Sequence, residues 1–334
     1  MKKCKIFCLL ILLLTVAALA TLVGCAGGNV EIDMSKPSVG LKFEANPDGT
    51  YYVSGIGACT DEIIVIPEKT ASGKPITGIG DSAFAHNANI KAVGIPSSIR
   101  TIGDDAFYGC LELKRVQMTQ GLRSIGKQSF AFCKQLDKIN LPDSLKEIGD
   151  VAFGFCESLQ NIYIPEGLEV LGDYTFNGCD KLKGEKYGSA YYIGNEGNKY
   201  LILLRAENEN VESCQVNYTT KFIHSRAFSN CENLKSITFP EGLLEIGSDS
   251  FVNCFSLTSV NIPQNVTRIG EYAFYYCNHL DNVTFSETLG WLLYDASEGN
   301  FAARVHQEDL LDGYSAVQCL TEMYYEYEWA RGRE

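Results

Sequence analysis

The sequence predicts a leucine-rich, β-rich solenoid, a right-handed coil of about eight stacked 23-residue units, and three observations predict it. Phe107, Phe130, Phe153 and Phe176 stand 23 residues apart, as do Leu113, Leu136, Leu159 and Leu182. Cys110, Cys133, Cys156 and Cys179 keep the same step, and the register returns at Phe228, Phe251 and Phe274 with Cys231, Cys254 and Cys277 behind them. Gly103, Gly126, Gly149, Gly172, Gly247 and Gly270 each follow an inward isoleucine or leucine. A fixed period in the twenties means that each unit is one supersecondary coil. One coil cannot bury its apolar side alone, so only the stack is stable. Counting from Phe84, such a stack is roughly 40 Å long, at about 4.8 Å per coil.

Residues 95–117, IPSSIRTIGDDAFYGCLELKRVQ, show one unit. Leu113, Val116 and Met118 have LxxLxL spacing, and the alternation at its end points Val116 and Met118 inward and Arg115 and Gln117 outward. Pro96, Pro142, Pro165, Pro240 and Pro263 end the strand, because proline cannot donate to a ladder. The recurrent glycine suggests a corner that needs positive φ, and His224, which replaces it in one coil, reads as a corner residue. Asn87 takes the cysteine position of the first coil and must find hydrogen bonds there. The seven register cysteines read as a ladder of buried thiols rather than disulfides, since free cysteine packs as a small hydrophobe. No two cysteines form a CxxC pair and His86, His224, His279 and His306 are scattered, so no metal site is expected.

The chain also has ends and an interruption. Lys2, Lys3 and Lys5 precede an apolar run from Ile6 to Ala20, which reads as an export signal over residues 1–24. Leu22-Val23-Gly24-Cys25 resembles a bacterial lipobox, and that resemblance implies lipidation of Cys25 and cleavage before it. Residues 25–40 read as a tether and 41–83 as an N-terminal cap and the start of the first repeat, with a hairpin turning at Asp48-Gly49. Repeats follow over 84–183 and 215–285, divided by a hairpin insertion at 184–214. Residues 286–334 form a C-terminal cap with helical spacing at Val317, Leu320, Tyr324 and Tyr327 and Asp312 as N-cap. Trp291, Trp329 and the nearby tyrosines read as cap contacts, or as an aromatic ligand platform.

The string I-P-x-x-[IL]-x-x-I-G-x-x-A-F-x-x-C-x-x-L, repeated over residues 41–329, resembles the BspA-type leucine-rich repeat of bacterial surface proteins. The resemblance implies a solenoid and adhesion to matrix proteins or other cells.

The net charge is −13 for the whole chain; residues 1–24 hold three lysines and no acids, so the remainder carries 25 basic against 41 acidic residues, net −16. That balance disfavours nucleic acid and anionic lipid surfaces as partners. No GxSxG, HExxH, P-loop or dinucleotide turn is present, so neither catalysis nor a cofactor is expected. The candidate binding face is the set of outward strand positions: Lys114, Arg115 and Gln117; Lys138 and Asn140; Asn161 and Tyr163; Ser236 and Thr238; Ser259 and Asn261; Asn282 and Thr284. These rows read as mixed polar with no dominant charge. The expected protein is a monomeric, exported, membrane-anchored lipoprotein whose partner is a macromolecule, a protein or cell-surface component. An envelope scaffold is the alternative, and a glycan-binding accessory or hydrolase a third reading.

Overall fold

The computed structural model describes residues 32–295 and 300–332. The export signal, the Leu22–Cys25 motif and the first part of the tether lie outside the described residues. The chain is a β-solenoid of about ten turns with a small helical part near its C-terminus. Strands Ile63–Val65, Ala92–Ile95, Arg115–Met118, Lys138–Asn140 and Asn161–Tyr163 form one parallel row. Ile76–Ile79, Thr101–Ile102, Ser124–Ile125, Glu147–Ile148 and Val170–Leu171 form the row on the other side of the core. Pairing repeats the sequence period: Arg115 lies opposite Lys138 and Thr101 opposite Ser124. Turns beyond the expected eight have two sources. Strand Tyr51–Gly55 of the N-terminal hairpin pairs in parallel with Ile76–Ile79. The insertion also supplies strands to both rows, Ile202–Ala206 beside Phe222–Ile223 and Ser213–Gln215 beside Ser236–Thr238.

Between the rows runs a column of parallel rings. Phe84, Phe107, Phe130 and Phe153 stack at 5.0, 5.1 and 5.4 Å between centroids, and Phe228, Phe251 and Phe274 at 5.3 and 5.2 Å. Beside it stands the cysteine column, every member buried and free. Cys110 Sγ donates to Phe84 O at 3.1 Å, Cys133 to Phe107 O at 3.2 Å and Cys156 to Phe130 O at 3.1 Å. Cys179, Cys254 and Cys277 repeat the bond at 3.0, 3.2 and 3.2 Å, whereas Cys231 reaches Asn208 O at 3.8 Å. Cysteine suits this position because it is small and its S–H still bonds a carbonyl of the preceding coil. Burial pushes the Cys110 and Cys277 thiols up to about 12, so they carry no thiolate near neutrality. In the first coil Asn87 Oδ1 accepts the N–H groups of Asn89 and Ile90 at 2.9 and 3.2 Å.

The corner glycines owe their place to space, not to φ: none of the six has positive φ. A Cβ on Gly103, Gly126 or Gly247 would sit 2.7 Å from the backbone nitrogen of Asp81, Asp104 or Ser225 one coil earlier. The left-handed positions lie two residues further on, at Ser82, Asp105, Gln128, Val151, Tyr174, Arg226, Asp249 and Tyr272. Val151 is the only β-branched residue among them, at φ 55°. Left-handed backbone costs a non-glycine residue roughly 1–2 kcal/mol, and asparagine tolerates it better. Val151→Asn is therefore expected to stabilise the protein by about 1 kcal/mol in urea unfolding; a loss would mean that the valine methyls contribute more than the strain costs.

His224 likewise does not have positive φ. Its buried ring lies 5.6 Å from that of Phe176, and its Nε2 accepts the Phe176 N–H at 3.2 Å. The phenylalanine column breaks at this point. Strands Glu185–Tyr187, Ala190–Ile193 and Ile202–Ala206 form an antiparallel meander, and the last joins Phe222–Ile223. Alternation sends Ile193, Ile202, Leu204 and Phe222 into one core and Ala190, Tyr192, Leu203 and Ile223 into another. The insertion is thus a partition between two stacks, built into the sheet.

The far end is closed by an antiparallel meander of Trp291–Asp295, Phe301–Arg304 and Tyr327–Arg331, which pairs with Arg268–Ile269. Asp312 Oδ2 caps the helix Gly313–Gln318 by accepting the Ser315 N–H at 3.1 Å. The helical spacing ends with the turn Cys319–Met323, so Tyr327 and Trp329 lie on a strand. Trp291 and Trp329 are each 1% exposed, which removes them from any ligand platform.

Candidate binding face

The outward side chains of the first row begin apolar and turn polar. Val65 and Ala92 are buried because Ile32 packs on them, with Met34 and Ile63 alongside. Met34 occupies the space over Gly94, where a Cβ would collide with its sulfur. Ser38 N–H donates to Val65 O at 2.8 Å. The stretch expected to be a free tether is therefore seated on the first two strands from Ile32 onward. Beyond it, Lys114, Gln117, Lys138, Asn140 and Asn161 are exposed, with Arg115 and Tyr163 half-buried. Among the described residues, none of those five exposed side chains has a hydrogen bond or ion pair. Tyr163 Oη donates to Asp143 Oδ1 at 2.9 Å.

The second row, Ser213–Gln215, Ser236–Thr238, Ser259–Ile262 and Asn282–Phe285, is a separate four-stranded sheet. Ser236, Thr238, Ser259, Asn261, Asn282 and Thr284 are all exposed, and Thr284 Oγ1 donates to Asn261 Oδ1 at 2.8 Å. The face is thus two panels, and they differ in charge. Lys114, Arg115, Lys138 and Lys183 stand on or beside the first panel against Asp137, whereas the second carries hydroxyls and amides, with Lys235 paired to Glu212 and Asp281 beside them.

Where the panels part, a cleft of about 540 Å³ opens, lined by Lys138, Asn140, Asn161, Ile162, Tyr163, Lys183, Gly184, Glu185, Tyr192–Glu196 and Lys199. Lys183 N–H still donates to Gln160 O at 3.0 Å, as a regular coil requires, and then the chain turns away. Gly184 permits the turn, since a Cβ there would lie 2.9 Å from Tyr192 O. The chain returns at Gly194, whose carbonyl accepts the Ile164 N–H at 3.0 Å. Asn195 Nδ2 donates to Ile164 O at 2.9 Å. The 52-residue gap between Cys179 and Cys231 signals an interruption, but no residue pattern announces the cleft or the part of Lys183 in it.

Behind the partition lies a buried charged joint. Arg268, 5% exposed, pairs with Asp173, with Glu245 at 3.5 Å and with Glu328 at 3.3 Å. Asp173 Oδ1 also accepts the Ser248 N–H at 2.8 Å and the Ser225 hydroxyl at 2.7 Å. Burial alone would raise the Asp173 carboxyl, but Arg268 and these hydrogen bonds more than offset it and hold it low. Burial pushes Glu245 up to about 7 against the pull of Arg268. Arg268 ties carboxyl groups from both stacks and from the C-terminal cap, which makes the cluster a fastening between them.

Parallel β-coils around phenylalanine and thiol columns, with a polar outer strand face, define a leucine-rich repeat protein. The family model of the BspA type Leucine rich repeat region matches residues 72–197 and 206–298 in six copies, and the chain belongs to that family. No curated relative matches the chain. Among solved structures it is similar to the T. pallidum leucine-rich repeat protein, at 24% identity over 66% of this chain and 90% of that one, with a TM-score of 0.45. It is similar also to a leucine rich cell surface protein from Faecalibacterium prausnitzii A2-165, at 21% identity over 76% and 95% of the two chains and a TM-score of 0.36. The pneumococcal vaccine antigen PcpA shares 20% identity over 76% of this chain and 82% of its own, with a TM-score of 0.41.

Proposed function

We propose that the chain is a bacterial surface lipoprotein, anchored through Cys25, that works as a monomer and binds a protein or cell-surface component through the two strand panels. The observation that carries this reading is the row of exposed polar side chains, Lys114, Gln117, Lys138, Asn140 and Asn161, none of which has a hydrogen bond or ion pair among the described residues. Repeat surfaces present many such groups to one extended or globular partner. The purified protein is expected to bind intact cells or immobilised extracellular proteins. Replacing Lys114, Lys138 and Asn161 together with alanine is expected to weaken that binding at least about tenfold while the melting temperature holds. Full binding by this variant, and by a second with alanine at Thr238, Ser259 and Asn261, would overturn the assignment of the face. Cys25→Ser is expected to release the protein from membranes or to leave the signal uncut.

A further inference from the structure

We propose that the cleft between strand Asn161–Tyr163 and the segment Gly184–Gly194 receives an extended acidic polypeptide segment of the partner. This rests on the reading of the strand face as the binding surface and adds the partner's chemistry and its point of entry.

Three observations point to such a segment. The first is an open strand edge. Asn161–Tyr163 is the last strand of its five-stranded sheet. Backbone groups of successive strand residues point to opposite sides. Tyr163 O accepts the Leu141 N–H within the sheet, so the groups of Ile162 point the other way, as the Gln160 carbonyl and both groups of Ile164 do. Gln160 is bonded by Lys183, and Ile164 by Gly194 and Asn195. Ile162 faces the cleft between them, and among the described residues no strand pairs with it on that side. An unpaired edge favours a polypeptide main chain, which can pair there as an added strand does.

The second observation is charge. Lys138 and Lys183 line the cleft, both exposed and neither in an ion pair among the described residues. Lys199 is paired with Glu185 at 3.5 Å, which leaves Glu196 as the one unpaired acid of the lining. Lys114 and Arg115 continue the basic strip toward the N-terminal end in a chain of net charge −13. A basic strip on an acidic protein attracts an acidic partner and orients it. The third is shape: the half-buried Ile162 and Tyr163 give the cleft apolar surface beside the lysines. That arrangement fits a strand whose carboxylates alternate with apolar side chains.

The test uses the purified full chain and a fluorescein-labelled peptide of alternating glutamate and valine, with a lysine–valine peptide and heparin as comparisons. Saturable binding of the acidic peptide alone is expected, falling at least about tenfold in Lys138→Glu/Lys183→Glu and weakening with added salt. A conservative Lys138→Arg/Lys183→Arg variant keeps the charge and is expected to retain binding, and both variants should melt as the parent does. Absence of peptide binding, or equal binding by the charge-reversed variant, overturns the proposal. So does heparin binding that the acidic peptide fails to displace, which would make the partner a polyanionic glycan. If the protein still binds cells through the second panel while ignoring the acidic peptide, this proposal fails and the face reading stands. If substitutions on neither panel change cell binding, the face reading itself fails.

Discussion

Arg268→Ala is expected to cost about 3–5 kcal/mol of unfolding free energy, the loss seen when one partner of a buried ion pair is removed. Three carboxylates depend on that guanidinium: Asp173 from the first stack, Glu245 from the next strand of the second, and Glu328 from the C-terminal cap. Without it, burial disfavours the charge on Asp173 and Glu245, and among the described residues no other cation is paired with either. The loss should depend on pH, and the sign follows from proton linkage. In the parent protein the Glu245 carboxyl is raised to about 7, chiefly by burial. The folded state therefore holds an extra proton between roughly pH 4.5 and 7, and this group's contribution falls as pH rises through that window. His224 is lowered to about 4, chiefly by burial, with Asp173 opposing. Between roughly pH 4 and 6.5 the unfolded state holds the extra proton there, so stability rises with pH. The two slopes oppose each other, and the parent should vary little across their overlap. In Arg268→Ala the Asp173 and Glu245 carboxylates lose their counter-charge, their proton affinities rise, and protonation relieves the repulsion. The deficit should thus be largest near pH 8 and smaller near pH 5 in urea unfolding. A deficit below about 1 kcal/mol at both would mean that water reaches the joint and screens it.

The repeat was legible because its signal is redundant. Phe107, Cys110 and Leu113 recur together, and one slipped coil would move all of them at once. The ends were partly legible: Asp312 caps its helix, while Tyr327, at a spacing that fits a helix, lies with Trp329 on a strand paired to Arg268–Ile269 and Trp291–Asp295. Glycine at the corner was visible, but its cause was not, since close approach of the preceding backbone and positive φ select the same residue. For that reason positive φ was expected at His224, which takes the corner position without it. The joint left no mark in the sequence, because Asp173, Glu245 and Arg268 stand far apart in the chain and look like ordinary outward charges. The candidate face was legible as a list of outward positions, and its division into a basic and a neutral panel was not. That division depends on where the chain leaves the stack at Gly184 and re-enters it at Gly194.

Phe130→Ala is expected to cost about 3–5 kcal/mol, the range for deleting a fully buried ring from a core that cannot collapse around the gap. The coils above and below are fixed by their own strand pairs, Ser124 opposite Thr101 on one side and Glu147 on the other, so the cavity should persist. Phe130 is fully buried and stacks on two rings, Phe107 and Phe153, with planes 7° and 3° apart. Phe84, 2% exposed, stacks on Phe107 alone. Burial is nearly the same at both positions, so the difference between Phe130→Ala and Phe84→Ala isolates the second stacking contact. That contact should be worth about 0.5–1.5 kcal/mol. Urea unfolding of the two variants measures it, and a double-mutant cycle on Phe107 and Phe130 measures the pair directly. Equal losses with no coupling in the cycle would mean that the rings contribute only as apolar volume. A positive coupling would mean that each ring also holds its coil in register with the next, which is what a solenoid needs from a residue that touches only its neighbours.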